Sequence, residues 1–301
     1  MILLRLAYFP GCSLKSDYQN FEKTAIEVLR IFNIELVELP RWNCCGTVFS
    51  LSSDNLMNYL APARILIRAQ ELNKQIGNSN ILVTLCSMCY NTIKQTNNVL
   101  TADENRDKID TINAFMDDEV DYEGNVVVKH YLEILRDYVG FDKIAENIKR
   151  DLSKLKIAPY YGCLLLRPDV VAVDDPEQPK ILSEIIKSVG AEPVEFPLFN
   201  ECCGAYNTVT NPDLVIEKIY QILTSAKESG ADAIITSCPL CFFNLDYRQK
   251  YVSQKYSQFS KIPILYFTQL LAIGLGLDIS LCEFNKHFVD PTRLFKERRS
   301  E

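Results

Sequence analysis

Ten of the eleven cysteines in this chain fall into one pattern that occurs twice. Each copy has a single cysteine, then an adjacent pair followed by glycine, then a Cys-x-x-Cys motif. The first copy comprises Cys12, Cys44, Cys45, Cys86 and Cys89, and the second comprises Cys163, Cys202, Cys203, Cys238 and Cys241. A single Cys-x-x-Cys is a weak signal, but two matched sets in the same order are a strong one. The sequence therefore predicts two related thiol-rich sites.

The residue types in each set favour an iron–sulfur assembly. Five thiolates per set are one more than tetrahedral zinc binds and one more than a cubane cluster takes from cysteine. Soft thiolates with no histidine or carboxylate at a ligand spacing nearby also suit iron–sulfur chemistry. Two alternatives stay open: zinc in one half of the chain, and a thioredoxin-like dithiol at each Cys-x-x-Cys. The second would leave Cys12, Cys44 and Cys45 unexplained.

The residues around the cysteines must aim each set at one point. Neighbouring side chains on an extended backbone point to opposite faces, so an adjacent pair needs a sharp turn. Gly46 and Gly204 tolerate the positive φ of such a turn. Each Cys-x-x-Cys follows an apolar strand and opens a helix, where the backbone N–H groups and the helix dipole favour thiolate over thiol. Pro239 suits the first turn of its helix.

Alternating strand and helix patterns must carry these motifs. The apolar runs predict strands, and the helical spacing between them predicts connecting helices, opened by Asp54 and Asn211 as N-caps. Strands are expected at 2–9, 34–39, 81–85, 126–130, 192–196, 233–237 and 264–267, and helices at 18–32, 54–76, 131–152, 179–189 and 211–229. The order predicts an α/β fold of two pseudo-symmetric, Rossmann-like domains with mostly parallel sheets. Such sheets bind ligands at the carboxyl ends of their strands, which is where all ten cysteines fall.

We place the domain boundary at 153/154, so that the domains are 1–153 and 154–301. The acidic segment 101–125 has no counterpart of the same length in the second half. It is either a docking surface for a partner or a solvated insertion.

Composition excludes several classes of function. Apolar residues make up 48% and charged residues 24%, which is typical of a globular protein. A net charge of −7 without a basic run argues against nucleic-acid binding. The apolar stretch 263–281 contains Thr268, Gln269 and Asp278, so we expect a core strand and helix and no membrane span. The start of the chain lacks a secretion signal, which predicts a cytoplasmic protein with reduced thiols.

Four further residues are assigned from their surroundings. His130 and His287 do not lie beside a cysteine, so we expect surface or helix-capping roles. Cys282 stands alone in an apolar stretch and is expected in the core. Arg167 follows Cys163 and could bind a carboxylate, sulfonate or phosphate at the mouth of a substrate site, or else lie on an exposed loop.

On these residues the chain resembles the paired cysteine-rich CCG domains found in the B subunit of heterodisulfide reductase. The resemblance extends from residue 8 to about residue 250 and includes YFPGC (8–12), ELPRWNCCGTVFS (38–50) and GCLLLRP (162–168). It implies that each set of five cysteines holds a noncubane [4Fe–4S] cluster.

The resemblance further implies a disulfide reductase, whose methanogen relatives cleave the heterodisulfide of coenzymes M and B. The disulfide would lie between the clusters, each taking one sulfur and delivering one electron, with Cys12, Cys163 and Arg167 at the reacting centre. Electrons would come from the ferredoxin-like C subunit and the flavin-containing, bifurcating A subunit of a cytoplasmic heterodisulfide reductase complex. The alternatives are an electron-transfer component of another flavin/iron–sulfur oxidoreductase, an enzyme for a different sulfur substrate, and a structural zinc scaffold.

One departure concerns the substrate. Relatives in methanogens often carry histidine directly after the cysteine of the GC-x-LLRP stretch, where this chain has Leu164. A histidine there could donate a proton to a leaving thiolate. Its absence argues against the coenzyme M–coenzyme B heterodisulfide.

Overall fold

The structure is a computed structural model that describes residues 3–47, 55–77 and 79–296. Within these residues the chain forms two four-stranded sheets in which every pairing is parallel. The strands of the first sheet are β1 (Leu4–Phe9), β2 (Ile34–Glu38), β3 (Ile81–Thr84) and β4 (Val127–His130), and those of the second are β5 (Lys156–Pro159), β6 (Glu192–Pro193), β7 (Ala233–Thr236) and β8 (Ile264–Tyr266). Their orders, β2-β1-β3-β4 and β6-β5-β7-β8, are the same. The predicted α/β fold with repeated parallel sheets is confirmed.

Helices connect the strands and cover the sheets. In the first half they are α1 (Cys12–Lys15), α2 (Gln19–Ile31), α3 (Leu60–Ile76), α4 (Ser87–Thr101), α5 (Arg106–Phe115), α6 (Tyr131–Ile134) and α7 (Phe141–Glu146). In the second half they are α8 (Ile181–Ser188), α9 (Pro212–Glu228), α10 (Pro239–Tyr247), α11 (Gln249–Lys255), α12 (Phe267–Gly274) and α13 (Thr292–Phe295). Every residue of β3 and β7 is buried, as expected for inner parallel strands with helices on both faces.

One strand differs from the sequence prediction, and one predicted cap is not tested. The strand expected at 192–196 is only two residues long, because β6 lies at the sheet edge and Pro193 has no N–H to donate. The predicted cap Asp54 lies outside the described residues. Asn55 caps the described turn Leu56–Tyr59 by accepting a hydrogen bond from the Met57 N–H at 3.0 Å. The Asn211 cap of α9 is confirmed by its side chain, which accepts from the Leu214 N–H.

The two halves pack through α2 of the first and α12 of the second. The Phe21 ring stacks on Tyr266 with centroids 4.1 Å apart, and both side chains are buried. Beside them the Thr24 and Thr268 hydroxyls are hydrogen-bonded at 2.7 Å. The Lys149 N–H donates to the Gly274 carbonyl, so contacts between the halves include the region of the predicted boundary. The boundary at 153/154 itself stays a prediction.

Burial corrects the prediction for the histidines. His130 is fully buried, accepts from the Leu132 N–H and bonds the Leu85 carbonyl, so it is a helix cap but not a surface residue. His287 is also buried, between Gln269 and the Ile264 carbonyl. Burial lowers the pKa of His130 to about 3 and that of His287 to about 4, so both are neutral near pH 7.

Cys282 and the stretch 263–281 follow the prediction. Cys282 is fully buried in the core, and the stretch forms β8 and α12 with all of their residues buried. Among the described helices, none combines the length and the apolar character that a bilayer crossing requires.

Candidate metal centre

Each cysteine set lies at the carboxyl ends of three neighbouring strands. In the first half, Cys12 begins α1 just after β1, Cys44 and Cys45 lie in the loop after β2, and Cys86 is the N-cap of α4 after β3. In the second half, Cys163, the Cys202–Cys203 pair and Cys238 follow β5, β6 and β7 in the same way. Cys89 and Cys241 lie in the first turns of α4 and α10. The predicted strand, Cys-x-x-Cys and helix succession is therefore present twice.

Glycines let the backbone reach these positions. Gly46 and Gly204 have φ of 81° and 78°, as the sharp turn after the cysteine pairs requires. Gly11 and Gly162 precede the first cysteine of each set, with φ of 74° and 65°. A Cβ at Gly11 would lie 3.1 Å from Cys89 Sγ, and one at Gly162 would lie 3.3 Å from Cys241 Sγ. Both sets thus have a close backbone approach that only glycine permits without a shift of the thiol.

The second set is gathered around one pocket. All five of its cysteines line this pocket, together with Ser87 and Met88 from the first half and with Leu164, Tyr206 and Leu240 from the second. Cys163 Sγ and Cys202 Sγ are 3.8 Å apart. Ser87 Oγ is hydrogen-bonded to Ser237 Oγ at 2.8 Å, so the two Cys-x-x-Cys turns meet. The pocket is therefore enclosed by the second set, and Ser87 and Met88 bring the first half against it.

The first set is less enclosed. Cys45 and Cys89 are buried with their Sγ atoms 3.5 Å apart, whereas Cys12 and Cys44 are exposed. Cys86 lies beside Cys238 of the other half, and a hydrogen bond from that thiol is the largest cause of the lowered pKa of Cys86. The structure thus brings the two sets into contact through one cysteine of each.

Crowding of the thiols separates their pKa values. The Cys44 thiol donates to Cys45 and lowers the pKa of Cys45 to about 4, and the same interaction raises the pKa of Cys44. In the second half, Cys163 lowers the pKa of Cys202 to about 2 in the same way, while its own pKa is raised. Within each pair one thiol therefore loses its proton more readily than its neighbour, and a metal centre, which binds thiolates, must displace the protons that remain.

The donor set fits an iron–sulfur group. All of these cysteines are free, and thiolates are the ligands that iron–sulfur clusters take. Among the described residues, no three His, Cys, Asp or Glu side chains converge as ligands of one metal ion do. The ligands of a cluster bind separate irons and so surround a volume, which is the arrangement of the second set around its pocket.

Not every predicted site residue faces the pocket. Cys163 lines it, but Cys12 and Arg167 are outside its lining, and the Arg167 side chain is exposed. Sequence reasoning did not single out Ser87, Met88, Leu240 or Tyr206. Met88 and Leu240 occupy the same third position in the two Cys-x-x-Cys motifs, so the repeat itself was a signal for them.

A cross-contact holds the loop after Cys163. Asn91 of α4 is fully buried, and its Nδ2 donates to the Leu164 and Arg167 carbonyls, each at 2.7 Å. The Tyr90 hydroxyl donates to the Val171 carbonyl at 2.8 Å. The first half therefore positions one wall of the pocket in the second half.

We expect Asn91→Ala to destabilise the protein through this loop. It removes both hydrogen bonds, and because the two carbonyls are only partly shielded from water, we expect a loss of about 1–3 kcal/mol in total. Asn98→Ala is the matched control. Asn98 lies on the same helix, but it is exposed, and its hydrogen bond to the Val170 carbonyl is long, at 3.4 Å. Urea unfolding of both variants measures the difference. Equal unfolding free energies would show that the Asn91 contacts do not hold the loop.

Comparison with known proteins supports the repeat and the fold. The family described as the CCG cysteine-rich domain matches residues 6–94 and 157–246. The 8-methylmenaquinol:fumarate reductase membrane anchor subunit of Wolinella succinogenes is 28% identical over 290 residues, 96% of this chain and 98% of that protein. The B subunit of the ferredoxin/F420H2-dependent CoB-CoM heterodisulfide reductase of Methanosarcina acetivorans is 28% identical over 278 residues, 91% of this chain and 90% of that protein.

A solved structure shares the fold. A hypothetical protein from Helicobacter pylori superposes with a TM-score of 0.73 at 15% identity, over 95% of this chain and 53% of that one. At this identity the likeness concerns the fold alone.

Proposed function

The chain belongs to the CCG cysteine-rich domain family, and on that premise we propose that it is the iron–sulfur component of a heterodisulfide reductase-type complex that reductively cleaves a disulfide. The predicted resemblance to the B subunit of heterodisulfide reductase is confirmed by relatives of that name. The observation that carries the proposal is the convergence of the two sets: the five cysteines of the second half enclose one pocket, and Ser87 and Met88, from the Cys-x-x-Cys turn of the first set, complete its lining.

We propose that each set of five cysteines holds one noncubane [4Fe–4S] cluster. Two such groups would supply one electron each to the substrate bond, and the overall reaction is RS–SR′ plus two electrons and two protons giving RSH and R′SH. The protein's own contribution is to seat the disulfide between the sets and to exclude water from it. Cys12 and Cys163 are the cysteines predicted at the reacting centre. Cys12 is exposed and Cys163 is half-buried, which is in keeping with access of a substrate from solvent.

The side chains beside the second set argue for a disulfide with apolar arms. A cluster held by the five cysteines would fill their pocket, so a disulfide that reaches it would meet Met88, Leu164 and Leu240, and no charged side chain is among the described residues that line the pocket. Tyr206 also lines the pocket, and its phenol is protonated near pH 7. Its hydroxyl can donate a hydrogen bond to a product thiolate. An anionic substrate would need arms long enough to reach Arg167 outside the pocket.

The partners we propose are the ferredoxin-like C subunit and the flavin-containing, electron-bifurcating A subunit of a cytoplasmic heterodisulfide reductase complex. Relatives named as components of heterodisulfide reductases support a complex. Reducing conditions in the cytoplasm would keep the ten cysteines free for metal binding.

A second candidate is an electron-transfer component of another oxidoreductase. The relative named as a membrane anchor of a fumarate reductase favours it. In that case the chain would pass electrons between its partners and would not reduce a disulfide itself.

The deciding experiment uses the full chain purified without oxygen. We expect about eight iron and eight sulfide per chain, an EPR signal that changes on addition of thiol or disulfide, and oxidation of about two reduced viologens per disulfide cleaved. An uncharged disulfide such as bis(2-hydroxyethyl) disulfide and an anionic one such as the disulfide of 2-mercaptoethanesulfonate are compared.

The other outcomes each point elsewhere. Clusters that viologen reduces without any disulfide turnover would support the electron-transfer role. A colourless protein with about one zinc per set would mean a structural scaffold. About four iron plus one zinc would leave one active half and would exclude cleavage between two clusters.

A further inference from the structure

The acidic segment 101–125 is anchored on the first half of the protein. Ile112 of α5 is fully buried, and Tyr122 is almost completely buried with its hydroxyl bonded to Asn97 Oδ1. Gln70 of α3 donates to the Asp121 carbonyl at 2.9 Å and accepts from the Glu123 N–H at 2.8 Å. The expectation of a merely solvated insertion is therefore wrong for this part of the segment.

Glu119 is the acidic residue that this packing buries. Its side chain is only 1% exposed, and its Oε1 accepts hydrogen bonds from Arg68 Nε at 3.0 Å and Arg68 Nη2 at 2.6 Å. Arg41 Nη2 lies 3.4 Å from Oε2, and Arg64 Nε lies 3.7 Å from Oε1. A carboxylate removed from water needs such partners to stay ionised. Glu71 pairs with Arg41 at 3.6 Å and Asp118 with Arg64 at 3.5 Å, so Glu119 is the buried member of three carboxylates that face three guanidinium groups.

Arg68 connects this charge to the first cysteine pair. Its Nη1 donates to the Arg41 carbonyl and, at 3.3 Å, to Asn43 Oδ1. Asn43 Nδ2 in turn donates to the Cys44 carbonyl at 2.9 Å and to the Ala61 carbonyl at 3.0 Å. A continuous chain of hydrogen bonds therefore runs from Glu119 to the backbone of Cys44.

The second half has the same arginine–asparagine link to its cysteine pair, since Arg248 Nε donates to Asn244 Oδ1 at 3.0 Å, but none of the described carboxylates forms an ion pair with Arg248. Tyr160 donates its hydroxyl to the Glu201 carbonyl at 2.6 Å, and Asn244 Nδ2 donates to the Cys203 carbonyl at 3.0 Å. Lys218 and Glu201 form an ion pair of 3.7 Å with both side chains partly exposed. The two halves share their strand order but differ in the charge that surrounds the cysteine pair.

We propose that Glu119 and Arg68 are positioning residues of the first metal centre and make it inequivalent to the second. This inference rests on the proposed function, because it assumes a redox-active centre in each half. The Glu119 carboxylate holds the Arg68 guanidinium in place, and Arg68 orients the Asn43 amide. Asn43 then holds the loop of Cys44 through its hydrogen bond to the Cys44 carbonyl. Glu119 also limits the positive charge beside that centre, which keeps its reduction potential lower than the arginines alone would allow.

The test is Glu119→Gln in the full chain, with Glu123→Gln as the matched control. Glu123 lies on the same segment and pairs with Lys74 at 2.5 Å, but both side chains are about half exposed. We expect Glu119→Gln to shift the potential of one of the two centres to a more positive value in an EPR-monitored redox titration. We also expect half of the iron to pass to a chelator several-fold faster. The other centre and the Glu123→Gln protein should match the wild type.

Wild-type potentials and iron release in folded Glu119→Gln would overturn the proposal. If that variant does not fold, Asn43→Ala replaces it, since it keeps the ion pairs and cuts the link to Cys44. Faster iron release at an unchanged potential is then expected, and unchanged release would overturn the proposal. These measurements do not depend on disulfide turnover. If the wild type binds no iron, the proposed function fails, and faster alkylation of Cys44 in Glu119→Gln than in Glu123→Gln still tests the positioning.

Discussion

Cys45→Ser is expected to remove about half of the iron and sulfide from the anaerobically purified protein and to abolish disulfide turnover with reduced viologen. Cys45 is buried against Cys89, and burial leaves little room for another ligand to replace it. A serine hydroxyl keeps the approximate shape but is a harder and far less acidic ligand than a thiol. Turnover is lost entirely because the proposed reaction needs one electron from each side of the substrate.

Cys282→Ser is the control for this prediction. Cys282 is as buried as Cys45, yet it lies outside both sets, with its Sγ 4.0 Å from the Gln269 carbonyl. We expect full iron and full turnover from this variant, with at most a loss of stability. Iron that stays at the wild-type level in Cys45→Ser would remove Cys45 from the ligand set. Equal iron loss in both variants would mean that the core, and not the ligand, sets metal content.

Gly11→Ala is expected to empty the first site while the chain remains folded. Gly11 has φ 74° and ψ 166°, a backbone conformation that is nearly exclusive to glycine and costs about 1–3 kcal/mol for other residues. In addition, the new methyl group would lie 3.1 Å from Cys89 Sγ, so the thiol must move away from its set. We therefore expect about half of the iron to be lost, measured as iron per chain beside the thermal midpoint.

Gly140→Ala is the control that distinguishes the effect of backbone strain from the effect of displacing a ligand. Gly140 has φ 85° and ψ 137°, and a Cβ there would meet no atom within 4 Å. It should lose a similar amount of stability but no iron. Gly162→Ala should affect the second site, because its methyl group would lie 3.3 Å from Cys241 Sγ. Iron at the wild-type level in Gly11→Ala would show that the Cys89 thiol can move without weakening metal binding at the first site.

Local sequence signals were enough to predict the repeated framework. Pro239 occupies the first turn of α10, and Gly46 and Gly204 have the positive φ that adjacent cysteines demand. These features depend on neighbours within a few residues, so spacing and residue type determine them. The identical strand orders follow from the same repeated succession of strand, motif and helix.

Contacts between distant residues were beyond a single sequence. His130 was expected at the surface or as a helix cap. In the structure it ends β4 and is fully buried, and the residues that bury it cannot be identified from the sequence around it. Ser87 is hydrogen-bonded to Ser237, and Asn91 is hydrogen-bonded to the loop after Cys163. Both contacts join residues from different halves of the chain. The burial of Glu119 was hidden for the same reason, since nothing in the local sequence distinguishes it from the other acidic residues near it.

The stack of Phe21 on Tyr266 has a consequence for how the protein is made. α2 belongs to the first half of the sequence, and β8 and α12, which cover it, are synthesised only near the end of the second half. At about 5–20 residues per second, roughly ten to fifty seconds pass between the two. During that interval the apolar face of α2 is exposed on the nascent chain. Completion of the first half and its protection from aggregation therefore depend on translation of the second.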